Sequence, residues 1–156
     1  MNERDPAARI VDVGAKDVTV RKAEAAVAVE LSAETCRRLM EGTPKGDPIE
    51  AARIAGLMAV KRTPDLLPFC HPVAITGAEV RVEVRPEEGR VDIRAAVTAA
   101  DRTGVEMEAL TACAVAALSV YDTAKAHERS AVITGLRLVR KSGGRSGDFR
   151  AGGVGA

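Results

Sequence analysis

Aromatic side chains are almost absent from this sequence, which has no tryptophan, one tyrosine and two phenylalanines among its 156 residues. Proteins that bind single-stranded nucleic acid usually stack bases on aromatic side chains, and each contact is worth about 1–3 kcal/mol. Phe69, Tyr121 and Phe149 are too few and too scattered to form such a surface. We therefore do not expect a module that recognises RNA through aromatic side chains on its strands.

Net charge is also lacking, because 23 basic and 22 acidic side chains leave a formal charge of +1. Such a balance gives no overall field to attract nucleic acid or an anionic membrane, so an anionic ligand must be held by a local cluster of cations. The longest nearly uncharged stretch, 109–121, is too short to span a bilayer, and the amino terminus has no signal-peptide pattern. We expect a cytoplasmic protein.

Cysteine pairing is not expected either. Cys36, Cys70 and Cys113 are odd in number and show no C-x-x-C spacing. They therefore indicate three reduced thiols rather than a disulfide or a metal site. The sequence shows no ligand cluster for a permanently bound metal.

Hydrophobic periodicity predicts an α+β protein with elements in the order β-α-α-β-β-α-β. Apart from one extra helix, this is the ferredoxin-like arrangement, an antiparallel four-stranded sheet with helices packed on one face. The predicted strands cover 25–31, 73–85, 91–97 and 132–139, and the predicted helices cover 33–41, 48–61 and 105–127. This fold hosts many activities, so it does not decide function.

The length of the chain fits a single domain over residues 1–156. A polar, charged segment over about residues 1–22 is expected to be a mobile arm, and a Gly-rich tail is expected over about residues 141–156. Because the last helix carries no charge between Glu108 and Asp122, we expect it to be buried on both sides. One side can lie on the sheet, and the other needs a cover such as a second subunit.

Three segments hold polar residues that folding alone does not require. His71 follows a Pro-rich loop that can fix an imidazole, although a packed structural histidine fits the pattern equally. Asp122 and Lys125 share one helix face, where they form either a surface ion pair or, at the rim of buried surface, a proton-transfer pair with a lowered lysine pKa. Glu106 and Glu108 diverge by about 160° on a helix, so they cannot act as a carboxylate pair.

Cations on Gly-bearing segments offer places for phosphate groups. Lys45 and the tail KSGGRSG, 141–147, can surround an anion with backbone N–H groups and positive side chains. No Walker-type motif is present, so from the residues alone the chain is an enzyme or a binder for a small phosphorylated ligand.

At these same segments the sequence resembles the molybdenum cofactor biosynthesis protein C family, the cyclic pyranopterin monophosphate synthases. The resemblance extends over residues 10–149, and Pro64, Phe69 and Arg145 differ from the residues typical of the family. Its motifs, in chain order, are IVDVGAK (10–16), TVRKA (19–23), KGDPIEAARIAGLMAVKRTPDLLPFCHP (45–72), TGVEMEALTACAVAALSVYD (103–122) and KSGGRSGDF (141–149).

The resemblance implies a lyase that converts 3′,8-cyclo-7,8-dihydro-GTP to cyclic pyranopterin monophosphate and diphosphate. It implies Asp122 as catalytic acid/base with Lys125 as its partner. The substrate-binding residues that it implies are Phe69, Cys70, His71, Met107, Glu108, Lys45, Lys61 and Arg21. It further implies a homohexamer built as a trimer of dimers. No tightly bound cofactor is expected, although a divalent ion can accompany the triphosphate. The alternative is a non-catalytic regulatory protein that binds a nucleotide, since the same cations would serve it.

Overall fold

A computed structural model describes residues 7–152 of the chain. Its elements are β1 (Thr19–Glu30), α1 (Ala33–Glu41), α2 (Pro48–Leu66), β2 (Ile75–Arg85), a 3-10 turn (Pro86–Glu88), β3 (Arg90–Asp101), α3 (Glu106–Ala124), β4 (Val132–Ser142) and β5 (Phe149–Arg150). No helix within residues 7–152 is long and apolar enough to cross a membrane.

The five strands form one antiparallel sheet in the order β2-β3-β1-β4-β5. Its first four strands and the helices on one face confirm the predicted α+β, ferredoxin-like arrangement. The sequence did not predict β5, a strand of two residues in the Gly-rich tail that pairs Phe149 with Lys141 and Arg150 with Arg140. A strand this short cannot show an alternating pattern, so periodicity cannot detect it.

Local signals start the first two helices where the sequence places them. The hydroxyl of Ser32 accepts a hydrogen bond from the Thr35 N–H at 3.2 Å and so caps α1. The Asp47 carboxylate accepts hydrogen bonds from the N–H groups of Ile49 and Glu50 at the start of α2. Pro48 occupies the first position of α2, where its missing N–H costs nothing.

Several element ends differ from the predicted ones, and the differences concern the site. β1 begins at Thr19 rather than at residue 25, because its early residues pair with the end of β3 despite their polar side chains. The last four residues of the predicted arm, 19–22, are therefore part of the sheet. α2 continues to Leu66 through Pro64, which falls in its last turn and so removes only one late helical hydrogen bond.

The core between helices and sheet consists mainly of small side chains. The face of α3 toward the sheet and α2 is lined by buried alanines. Opposite them lies Gly56 of α2, where an added Cβ would lie 3.1 Å from the Val80 methyl groups and 3.2 Å from the Ala112 carbonyl oxygen. The buried alanines of α3 are Ala109, Ala112, Ala116, Ala117 and Ala124. The two helices therefore approach each other closely.

The outer face of the helices is apolar but exposed in the single chain. Leu118 of α3 is 57% exposed, and Ile54 and Met58 of α2 are exposed as well. The expected burial of α3 on both sides is therefore found on one side only. We call Ile54, Met58, Met107 and Leu118 the outer apolar face.

Candidate active site

Helix α3 separates the candidate residues into two groups. Glu108 lies in its first turn and Asp122 in its last, so 14 residues place them about 21 Å apart along the axis. Lys45, just before α2, is near enough to Asp122 to lower the pKa of that carboxyl. Cys70, just after α2, is near enough to Glu108 for that carboxylate to raise the pKa of the thiol. α2 and α3 therefore run antiparallel, and each end of the pair carries part of the candidate site.

A cavity of about 520 Å³ lies beside the first turn of α3. The start of β1, the end of β3, the segment that precedes α3 and the Gly-rich tail meet around it. We call it the basic cavity, because cations outnumber carboxylates in its lining. Its cations are Lys16, Arg21, Lys22, Arg102, Lys141 and Arg145, and its carboxylates are Asp17 and Glu106.

Arg21 is the most firmly held cation of this cavity. Only 8% of its surface is exposed. Its Nε donates to the main-chain carbonyl of Asp101 at 3.3 Å, and its Nη2 donates to that of Arg102 at 3.2 Å. Both acceptors are neutral, so the positive charge stays uncompensated by these contacts and remains available to an anion.

The Gly-rich tail bends around Arg21 with backbone that only glycine adopts easily. Gly143 has φ +93° and Gly144 has φ +79°. A Cβ at Gly143 would overlap the Val20 carbonyl, and one at Gly144 would overlap the Arg21 guanidinium. Lys141, at the start of this bend, donates to Ser146 Oγ at 3.0 Å and pairs with Glu106 at 3.2 Å. The glycines therefore bring the cations of the tail next to Arg21.

The two carboxylates at the start of α3 point in different directions, as the helix geometry predicts. Glu106 faces the basic cavity and its lysine, whereas Glu108 is only 2% exposed. Burial raises the pKa of Glu108, its own backbone N–H partly opposes this, and the charge of Glu106 raises the pKa further. Glu108 therefore holds its proton more tightly than an ordinary exposed glutamate does.

The loop between α2 and β2 carries Phe69, Cys70 and His71 to the same end of the molecule. Phe69 is exposed, and Cys70 is half-buried with a pKa raised first by burial and then by Glu108. His71 Nε2 lies 2.7 Å from the Val11 carbonyl oxygen. Because a carbonyl oxygen only accepts, Nε2 donates in this contact. His71 therefore holds the segment before β1 through Nε2.

Asp122 and Lys125 form an ion pair of 2.6 Å at the opposite end of α3. Their side chains are 72% and 54% exposed, respectively, so the partial burial expected for this pair is not found in the single chain. The hydrogen bond and charge of Lys125 lower the pKa of Asp122, and Lys45 lowers it further. Asp122 is therefore ionised at neutral pH.

The structure thus divides the predicted residues between the two ends. Arg21, Met107, Glu108 and the loop 69–71 lie at the start of α3, and Lys45 lies with Asp122 and Lys125. Lys61 is an exposed residue of α2. Sequence reasoning singled out the tail 141–147 but not Lys16, Lys22 or Arg102, which look like ordinary surface cations until the sheet brings them together.

Two other observations limit what the chain can hold. Within residues 7–152, no three His, Cys, Asp or Glu side chains lie together as a potential metal site. A second cavity of about 660 Å³ lies on the sheet face opposite the helices. Most of its arginines are engaged by carboxylates there, as in the pairing of Arg94 and Arg140 with Glu24. The basic cavity is therefore the better place for an anion.

The chain is a small α+β protein with a ferredoxin-like sheet. The basic cavity lies at one end of α3, and the ion pair of Asp122 and Lys125 lies at the other. This arrangement is suited to an anionic ligand. The chain belongs to the MoaC family, whose model matches residues 10–144. It is 56% identical over 145 residues to the cyclic pyranopterin monophosphate synthase of Streptomyces griseus subsp. griseus, covering 92% of this chain and 81% of that protein. It is 54% identical over 143 residues to the protein of the same name from Roseiflexus sp. (strain RS-1), covering 91% and 90%.

Proposed function

We propose that this chain is a cyclic pyranopterin monophosphate synthase of molybdenum cofactor biosynthesis. The observation that carries the proposal is the basic cavity. The proposal is supported by sequence identity of 56% and 54% to two proteins of that name. The proposed substrate is 3′,8-cyclo-7,8-dihydro-GTP, and the products are cyclic pyranopterin monophosphate and diphosphate.

The proposed reaction is a lyase reaction in its phosphoryl step. A ribose hydroxyl oxygen forms a bond to the α-phosphorus, and the bond from that phosphorus to the bridging oxygen of the β-phosphate breaks. The hydroxyl proton goes to a base, and diphosphate leaves with the electron pair. Cations around the phosphates stabilise the charge that develops on the leaving group. The basic cavity, in which Arg21 is fixed by two neutral carbonyl acceptors, is suited to that task.

Asp122 and Lys125 are the proposed acid–base pair. Lys125 lowers the pKa of Asp122 below the ordinary 3.8, so Asp122 is a carboxylate at neutral pH and begins the reaction as a base. Lys125, 2.6 Å away, is its partner in proton transfer. The proposed substrate contacts at the other end are Met107, Glu108 and His71 with its neighbours Phe69 and Cys70. Lys45 and Lys61 complete the set of cations that attract the phosphates.

The proposed assembly is a trimer of dimers in which each active site is shared between two chains. Asp122 and Glu108 are about 21 Å apart along one helix and cannot meet at one reacting centre within a chain. An antiparallel partner helix would bring Glu108 of one chain near Asp122 of the other. The outer apolar face supplies the surface for such pairing, and its burial stabilises by about 25 cal/mol per Å². The pairing would also cover the exposed Asp122–Lys125 pair.

We propose a cytoplasmic enzyme with no tightly bound cofactor, in which a divalent ion enters with the substrate triphosphate. The test is incubation of the purified chain with the cyclised GTP substrate, followed by measurement of diphosphate. Release at a rate proportional to enzyme supports the synthase. Binding of the substrate without any release would instead support the non-catalytic nucleotide-binding protein.

A further inference from the structure

Asp101, the last residue of β3, links two segments that lie far apart in the sequence. Its Oδ2 accepts the backbone N–H of Ala74 at 2.8 Å. Ala74 ends the loop that carries His71, and only Pro72 and Val73 lie between them. Its Oδ1 accepts the N–H of Arg102 at 2.7 Å, which fixes the direction of the carboxylate. The side chain of Asp101 therefore ties the His71 loop to the end of β3.

The main chain of the same residue holds Arg21. The Asp101 carbonyl oxygen accepts from Arg21 Nε at 3.3 Å, and Thr19 of β1 pairs with Asp101 across the sheet. The Arg102 carbonyl, one residue further on, accepts from Arg21 Nη2. One residue thus fixes the His71 loop through its side chain and the main cation of the basic cavity through its backbone.

We propose that Asp101 is a positioning residue of the active site, which sets the placement of His71 relative to Arg21 without touching the substrate. The inference rests on the proposed function, which assigns His71 and Arg21 to the substrate. Asp101 itself is not among the lining residues of the basic cavity. Two groups that hold one substrate bind it well only when their relative placement matches it, so loss of this tie should weaken substrate binding.

The electrostatic surroundings of the Asp101 carboxylate agree with this role. The Ala74 N–H lowers the pKa of Asp101 most, and the Arg102 N–H and the charges of Arg102 and Arg21 lower it further. Asp101 is therefore ionised at neutral pH and accepts both N–H groups with full charge. Hydrogen bonds to a charged acceptor are the stronger kind, so removing the carboxylate loosens the loop. The N–H of Ala100 still donates to the Ala74 carbonyl oxygen at 3.3 Å.

The experiment compares four proteins by diphosphate release: the parent, Asp101→Ala, Asp101→Asn and Asp92→Ala. Asp92 is a matched control, because it lies on the same strand and its carboxylate pairs with Arg85 and Arg90 on the sheet face away from the helices. We expect Asp101→Ala to raise KM at least about tenfold. Asp101→Asn keeps one acceptor oxygen and should fall between that variant and the parent, whereas Asp92→Ala should stay within about twofold of the parent.

The KM readout separates positioning from folding. A purely structural role would reduce the amount of active protein, which lowers the apparent kcat and leaves KM unchanged. An unchanged KM in both Asp101 variants, with an active parent, would therefore overturn the positioning role alone. If Asp101→Ala does not fold, the near-isosteric Asp101→Asn decides by the same criterion. A parent that releases no diphosphate would overturn the proposed function as well.

Discussion

Glu108 is unusual among the acidic side chains of residues 7–152 because it is almost fully buried. A carboxylate taken out of water without a cation loses hydration that nothing restores, so the neutral acid becomes favoured. The nearest acidic neighbour, Glu106, adds repulsion rather than relief. Glu108 therefore makes stability depend on pH in a direction opposite to that of a carboxylate held in an ion pair.

The first prediction concerns this pH dependence. The pKa of Glu108 is raised above its ordinary value of 4.5, so the folded state binds its proton more tightly than the unfolded state does. The stability that the neutral acid provides is present below about pH 4.5 and is lost as pH rises through the folded pKa. Relative to the parent, Glu108→Gln should therefore gain stability as pH rises, by about 1.4 kcal/mol for each unit of difference between the two pKa values.

Urea denaturation at a series of pH values from 4 to 8 measures this gain. Glu87→Gln is the control, because the Glu87 side chain is 88% exposed and pairs only with Arg37 at the surface. If the free energy of unfolding changes with pH equally in the parent and in Glu108→Gln, the buried carboxyl does not cause the pH dependence.

The second prediction concerns Asp122. Asp122→Asn keeps the shape of the side chain but removes the proposed base, so kcat should fall at least about 100-fold while KM changes little. Diphosphate release under saturating substrate is the measurement. Glu50→Gln is a matched control, since Glu50 and Arg53 form an exposed ion pair three residues apart on α2 at 3.2 Å. Equal turnover by Asp122→Asn and the parent at matched pH would leave Asp122 as a surface anion.

The third prediction concerns the Gly-rich tail. Its glycines allow two effects of an added Cβ to be compared, namely strain from a positive φ and overlap with a neighbouring group. Gly143 and Gly147 both have positive φ, but only at Gly143 would a Cβ also overlap another backbone group, the Val20 carbonyl. Alanine at Gly147 should cost about 1 kcal/mol of stability through φ alone. Alanine at Gly143 should cost more and should also raise KM, because the bend next to Arg21 must open.

Thermal unfolding and KM measured for both variants make this comparison, and Gly152→Ala is the neutral reference, with open space around its Cβ position. Equal effects of alanine at Gly143 and Gly147 on stability and KM would mean that closure of the tail on β1 has no part in substrate binding.

The long elements follow from periodicity, whereas their ends and the site depend on contacts between distant segments. The hairpin of β2 and β3 and the helix α3 carry clear patterns, so the sequence predicts them. The early part of β1 is polar, and only pairing with β3 makes it a strand. The role of Asp101 also depends on a distant contact. In the sequence it resembles an ordinary loop aspartate, because no local pattern indicates that Ala74 lies beside it. Long-range hydrogen bonds of this kind have no local signal.

The fourth prediction tests the shared active site of the proposed assembly. Glu108→Ala and Asp122→Asn chains, each inactive alone, are mixed and allowed to exchange subunits. A mixed dimer would contain one site with both defects and one with neither, so a random mixture should recover about a quarter of the parental activity. Native mass spectrometry shows whether exchange has occurred. Exchange without recovery would mean that each site draws both residues from one chain.

The alanine-lined face of α3 has a consequence for which mutations the molecule tolerates. In most cores the damaging change is truncation of a large side chain, which leaves a void. Between α3 and α2 there is little to truncate, and the distance between the helices is set by methyl groups and by the bare backbone of Gly56. Added volume is therefore the more damaging change, since each extra methylene group must push apart the two helices whose ends carry the candidate site. Substitutions at the buried alanines of α3 and at Gly56 are therefore limited by side-chain size. Outward-facing positions of the same helices can accept larger changes.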